Sequence, residues 1–134
     1  VVEVRDERAA GAARGAVRGS AVQLQQVFVN LLLNAADAMD DVAPEARRAT
    51  VRLRDADPPA VRITVSDSGP GVPPELLPAL FHPFVSTKPA GLGLGLSLSR
   101  TIVEAHGGRL WADAAVPGGA GGVFHIELPL AVAS

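Results

Sequence analysis

The chain has no cysteine, which removes disulfide staples and thiolate metal sites together. It also lacks an excess of either charge: 12 Lys and Arg stand against 14 Asp and Glu, for a formal net charge of −2. A protein that follows nucleic acid along its phosphates needs a basic stripe and a pI above about 9, so no nucleic-acid partner is expected. No stretch approaches the roughly 18 uninterrupted apolar residues of a bilayer span. The opening Val1-Val2-Glu3-Val4-Arg5-Asp6 has no signal-peptide architecture. The expectation is a soluble, cytoplasmic domain without direct membrane contact, whose full-length protein can still be tethered to a membrane elsewhere. The 14 glycines and 11 prolines fall short of the share that signals disorder. With 134 residues, 48% of them hydrophobic, one domain over residues 1–134 can bury roughly 65–70% of its unfolded surface without a staple.

What is present is ordered along the chain. Residues 1–19 read as a strand-like start followed by an Ala/Arg/Gly-rich arm, a weak edge. Ser20 with Gln23 three positions later forms a capping-box start, and Val22 to Met39 has helical spacing with no Gly or Pro inside. Two segments, 49–54 and 60–66, alternate apolar with polar residues around Asp57-Pro58-Pro59, as half-buried antiparallel strands do. A short helix is expected from Pro73-Pro74-Glu75, and a long loop from Phe81 to Gly95. A second helix runs from about Gly95 to His106 and stops at Gly107-Gly108. A last hairpin takes 109–114 and 122–128. Helices separated by antiparallel hairpins, without βαβ alternation, predict an α+β two-layer sandwich with helices on one face of a sheet.

Three constellations carry chemistry. Gln23, Gln26, Asn30, Asn34, Asp37 and Asp41 recur at three- and four-residue spacing and share one stripe of the first helix. A solvated helix face favours Lys, Glu and Arg; Asn costs roughly 0.5 kcal/mol per helical position relative to Ala. Two Asn one turn apart therefore suggest amide oxygens offered to a hard cation that arrives with phosphate. The second constellation, Asp67-Ser68-Gly69-Pro70-Gly71, is good turn chemistry. It also suits an adenine pocket, because a carboxylate only accepts and can take the exocyclic amine, whereas guanine presents a carbonyl there. Third, Gly91-Leu92-Gly93-Leu94-Gly95-Leu96-Ser97 leads into a helix. It is neither a Walker loop nor a dinucleotide fingerprint, and it reads either as a hinge or as backbone N–H groups for phosphate at a helix start. Lys88 upstream can add a point charge.

Together these segments resemble the ATP-binding catalytic domain of sensor histidine protein kinases, within the gyrase, heat-shock chaperone, histidine kinase and mismatch-repair ATPase superfamily. Residues 25–39 resemble the family's N box and 67–71 its first glycine box. Residues 80–88, Leu-Phe-His-Pro-Phe-Val-Ser-Thr-Lys, resemble its F box and 91–97 its second glycine box, followed by Ile102-Val103-Glu104-Ala105-His106-Gly107-Gly108. The likeness covers about residues 18–130 and is greatest to the nitrogen-regulating and oxygen-sensing subgroup.

The resemblance implies a Bergerat-type fold of about three helices on a mixed, mostly antiparallel sheet, with ATP and Mg2+ as cofactors. It implies Asn34 as the magnesium ligand and Asn30 as a second metal or phosphate contact, with Asp37 on the same stripe. It implies Asp67 as the adenine partner with Gly69 and Gly71 beside it. Gly91, Leu92, Gly93, Leu94, Gly95 and Leu96 would form the lid, with Thr87 and Lys88 at its start and Phe81 and Phe84 as its anchors. Asn30 and Lys88 would be the catalytic pair. Ser20 stands where relatives often have Asp, and Leu92 where a small or polar residue is common. In related hydrolysing ATPases a Glu precedes the metal-binding Asn by one turn; here Asn30 occupies that place, which favours transfer over hydrolysis. None of His82, His106 and His125 has the setting of a phosphoacceptor. The implied partners are a phosphoacceptor helical hairpin of its own or a partner chain and a downstream response regulator, with a homodimeric full-length protein. A stand-alone ATPase or serine-kinase relative, and a nucleotide-binding regulatory module without catalysis, are the alternatives.

Overall fold

The structure, a computed structural model, describes residues 2–8, 17–56, 60–82, 95–115 and 121–130. Its strands are β1 (Val2–Asp6), β2 (Ala49–Ala56), β3 (Ala60–Asp67), β4 (Arg109–Asp113) and β5 (Val123–Pro129), and its helices α1 (Ala21–Ala38) and α2 (Gly95–Ala105). The five strands make one sheet in the order β1-β2-β3-β5-β4. β1 runs parallel to β2, and the other three pairs are antiparallel. The N-terminal segment is thus an edge strand, and both expected hairpins form, although residues 57–59 and 116–120 of their turns lie outside the described residues.

Period-two alternation builds the core. Val61, Ile63 and Val65 on β3 face Leu128, Ile126 and Phe124 on β5 in register, and all six are buried together with Val27 and Leu31 of α1 and Ile102 and Val103 of α2. Both helices therefore cover the same face. Each such aliphatic side chain contributes about 1.5–3 kcal/mol. Arg62, Thr64, His125, Glu127, Arg109 and Trp111 hold the alternate positions: Arg62 and Arg109 both approach Glu127, and Trp111 stacks on His125.

The expected helix count needs one correction. The segment opened by Pro73-Pro74-Glu75 is a turn followed by a three-residue 3-10 helix, Leu77–Ala79, so two α-helices, not three, pack on the sheet among the described residues. Pro73, Pro74 and Pro78 each lack an amide hydrogen, which starves a longer ladder.

The stop at Gly107-Gly108 is the one the sequence encodes, whereas Ser20 makes half of the expected capping box, its own amide going to His106 in place of the Gln23 side chain. Ser20 Oγ accepts the Gln23 amide at 3.2 Å. α2 ends in a Schellman arrangement, with the Gly108 amide on the Val103 carbonyl, the Gly107 amide on that of Glu104, and Gly107 at φ +80°. The two caps meet at His106, whose Nε2 accepts the Ser20 amide at 3.1 Å while Nδ1 lies 2.7 Å from the Ile102 carbonyl. A backbone N–H can only donate, so Nε2 carries the lone pair and Nδ1 the proton. Among the described residues no helix is long and apolar enough to cross a membrane.

Candidate nucleotide site

The alternation that builds the core also delivers Asp67. Three apolar residues of β3 alternate inward at 61, 63 and 65, and the next inward position is a carboxylate, 7% exposed. Its cross-strand partner is the buried Ala49. Asp67 Oδ1 accepts the Gly69 amide at 2.8 Å and the Gly122 amide at 3.1 Å, and the Asp67 amide donates to the Gly122 carbonyl at 2.9 Å. Both amides fall on one carboxylate oxygen, which fixes the plane of the group and directs Oδ2 elsewhere.

Glycines make this approach feasible. A Cβ on Gly69 would lie 2.5 Å from the Ala38 carbonyl oxygen, at the end of α1. Gly71 sits at φ +84°, where a side chain is strained. A Cβ on Gly122 would lie 2.6 Å from Asp67 Oδ2. In the sequence Gly122 reads only as the first residue of the last strand segment, and the Gly121-Gly122 pair just before the apolar alternation of β5 is the one signal of its role. Ser68, between Asp67 and Gly69, donates to the Ala46 carbonyl and accepts the Arg48 amide, each at 2.9 Å, and its Oγ is 3.1 Å from Met39 Sδ. These contacts hold the end of β3 against the end of α1.

On α1, Val27, Leu31 and Ala35 are buried while Asn30 and Asn34 are half-buried and Gln23, Gln26 and Asp37 exposed; Asp41, expected on the same stripe, lies in the turn beyond the Met39 cap and so off the helix. The stripe thus runs along the margin of the core, and its C-terminal end adjoins the Asp67–Gly71 turn. Asn30 donates from Nδ2 to Ser99 Oγ on α2 at 3.3 Å. Asn34 and Asp37 each have an interaction in the structure. The folded chain therefore brings together Asn30, Asn34 and Asp37 on one helix with Asp67, Gly69 and Gly71 at its end.

Of the residues expected in the lid, Gly95 and Leu96 open α2. Among the described residues, a Cβ on Gly95 would meet nothing within 4 Å. Phe81 packs edge-on against Phe124 with centroids 6.4 Å apart, and the Arg100 guanidinium lies 5.3 Å from its ring. Phe84, Thr87, Lys88, Gly91, Leu92, Gly93 and Leu94 lie outside the described residues.

Residues 19–132 match the family described as histidine kinase-, DNA gyrase B- and HSP90-like ATPase. The sensor protein FixL of Bradyrhizobium diazoefficiens is 44% identical over 110 residues, which cover 82% of this chain and 21% of FixL. The mycobacterial sensor histidine kinase MprB superposes with a TM-score of 0.79 at 32% identity, over 98% of this chain and 84% of that one. Full-length ShkA, solved in complex with AMPPNP, gives 0.75 at 28% identity over 99% of this chain and 26% of its own. The chain spans well under a third of the length of such curated relatives, 21% of FixL and 12% of the sensor histidine kinase TmoS of Ectopseudomonas mendocina. On the family match and the likeness to MprB, the chain belongs to the histidine kinase-, DNA gyrase B- and HSP90-like ATPases, and within them to the sensor histidine kinases.

Proposed function

We propose that residues 1–134 are the single ATP-binding catalytic domain of a split phosphotransfer machine. It binds Mg-ATP and donates the γ-phosphate to a histidine on a separate dimerisation and phosphoacceptor hairpin, which in turn serves a response regulator; the full-length protein acts as a homodimer in the cytoplasm. The observation that carries this reading is the buried Asp67 carboxylate in its glycine cradle, with Oδ1 occupied by two backbone amides. Oδ2 then accepts the exocyclic amine of adenine, and an acceptor-only group disfavours the guanine carbonyl. Gly69 and Gly71 let the backbone pass close to the base.

The α1 stripe suits the phosphate end. Among the described residues no three His, Cys, Asp or Glu side chains gather to cage a metal, and a magnesium ion carried by phosphates needs only one or two protein oxygens. Asn34 would hold it, with Asn30 second and Asp37 on the same stripe; bound there, it supplies neutralisation of phosphate charge. By the resemblance of their sequence, Phe84, Thr87, Lys88 and the residues from Gly91 to Leu96 would complete the nucleotide site.

Transfer is favoured over hydrolysis because the amide of Asn30 cannot accept a proton from attacking water. Nor is any of the three histidines a ready phosphoacceptor. His106 is bonded at both nitrogens, and His125 lies 3.1 Å from Thr64 Oγ1 and 2.7 Å from Asp113 Oδ2. His82 precedes a proline and lacks an adjacent carboxylate.

Calorimetric titration with ATP, ADP and GTP, each with and without magnesium, tests the binding half: ATP should bind, GTP should not, and chelation should weaken ATP. Radiolabelled ATP tests the transfer half. The chain alone should neither label itself nor release phosphate at a useful rate, and an added acceptor hairpin should gain an acid-labile, alkali-stable phospho-imidazole. Label on His82, His106 or His125, or fast phosphate release, would favour the stand-alone alternative.

A further inference from the structure

Two polar or charged side chains are buried among the described residues, Asp67 and Ser99. The adenine site accounts for the first. Ser99 is 0% exposed, on the inward face of α2 beside Ile102 and Val103, where a hydroxyl is costly unless bonded. It lies one turn into the helix that begins at Gly95, where the lid sequence ends. Its partner is the carboxamide of Asn30, Nδ2 to Oγ at 3.3 Å, across 69 residues of sequence.

We propose that Ser99 is a positioning residue for the phosphate end of the nucleotide site, acting through Asn30. An asparagine amide is planar, with an acceptor at one corner and a donor at the other. Engaging Nδ2 on the buried hydroxyl turns Oδ1 away from α2. The side chain then presents an oxygen, not an NH2 group, to a cation and its phosphates. Without Ser99 the amide loses this tether and is free to turn, and the orientation that puts NH2 outward repels a cation. Because Ser99 belongs to α2, the bond also fixes the facing helix against the stripe at the level of the phosphates. The inference rests on the reading of Asn30 as a metal or phosphate contact.

The test is calorimetry on the native chain, Ser99→Ala, Asn30→Ala and the double variant, with Mg-ATP and with metal-free ADP, each checked by thermal melting. Ordering one side chain on binding is worth a factor of roughly 2 to 10 in affinity, so Ser99→Ala should weaken Mg-ATP by about that much. Its affinity for metal-free ADP should stay that of the native chain, and in the Asn30→Ala background the substitution should cause no further loss. Ser99→Cys, which keeps the volume and a weak acceptor, should fall between native and alanine. Native Mg-ATP affinity in Ser99→Ala, with Asn30→Ala weakened, overturns the positioning role and leaves the reading of Asn30 standing. Native affinity in Asn30→Ala overturns both. Equal losses for ADP and Mg-ATP, or a Ser99→Ala loss undiminished in the double variant, would assign Ser99 to packing alone and overturn the proposal.

Discussion

Replacing Asp67 with Asn changes one atom's chemistry and almost nothing of its shape, which makes it the sharpest probe of the adenine reading. In the native chain Oδ1 accepts two amides, from Gly69 at 2.8 Å and Gly122 at 3.1 Å. An asparagine must either keep its oxygen on those amides, and so point Nδ2 at the adenine amine, or turn over and point Nδ2 at the two amides. Both orientations set donor against donor. The first loses a hydrogen bond to a charged group, worth about 1.5–3 kcal/mol. At 1.4 kcal/mol per tenfold, ATP affinity should fall roughly 10- to 100-fold. The second orientation costs fold stability instead, so melting of the free protein separates the two outcomes. The same substitution gives the site a donor for the guanine carbonyl, so GTP should lose nothing and the ATP-to-GTP preference should shrink by at least the ATP loss. Calorimetry with both nucleotides measures this. Native ATP affinity and native GTP rejection together with native melting of Asp67→Asn would refute the adenine assignment, since neither orientation of the asparagine permits all three.

Asn34→Ala should abolish the magnesium dependence of ATP binding without unfolding the chain, since the residue is only half-buried; a loss of fold together with native ATP binding indifferent to chelator would make the stripe structural. Gly122→Ala places a Cβ 2.6 Å from Asp67 Oδ2, and calorimetry should show ATP affinity lowered about tenfold or more as the carboxylate is displaced. Leu31→Ala removes a fully buried side chain and should cost about 2–5 kcal/mol in urea unfolding, with an unchanged m-value. Asn30→Glu should raise phosphate release by the chain alone, because a carboxylate in that place can take the proton of attacking water.

Much of the fold was legible because its signals are local. The Ser20 cap, the unbroken 22–39 pattern, the alternating strands and the Gly107-Gly108 stop each depend on a few neighbouring residues, and each element forms within a residue or two of its expected place. The third helix was not legible. A proline pair opening a segment is good N-terminal chemistry, but Pro78 falls where a longer helix needs amide donors. Nor could the sequence order the sheet. The insertion of β5 between β3 and β4 is fixed by the pairing of Val61, Ile63 and Val65 with Leu128, Ile126 and Phe124, more than sixty positions apart at the widest.

The site divides along the same line. Asp67, Gly69 and Gly71 lie within five residues, and the Asn stripe on one helix, so spacing alone could reveal them. The residues that hold them in place come from elsewhere: Gly122 enters from the start of β5, and Ser99 reaches Asn30 from α2. Neither carries a chemical signature, since a glycine before a strand and a serine on an inward helix face each have ordinary structural roles. Their part appears only when β3 and β5 pair and the two helices settle on one face of the sheet. Ligand-facing groups here are read from pattern, and the groups that orient them are read from contact. A buried polar residue such as Ser99, out of place in an apolar layer, is where the second kind becomes visible.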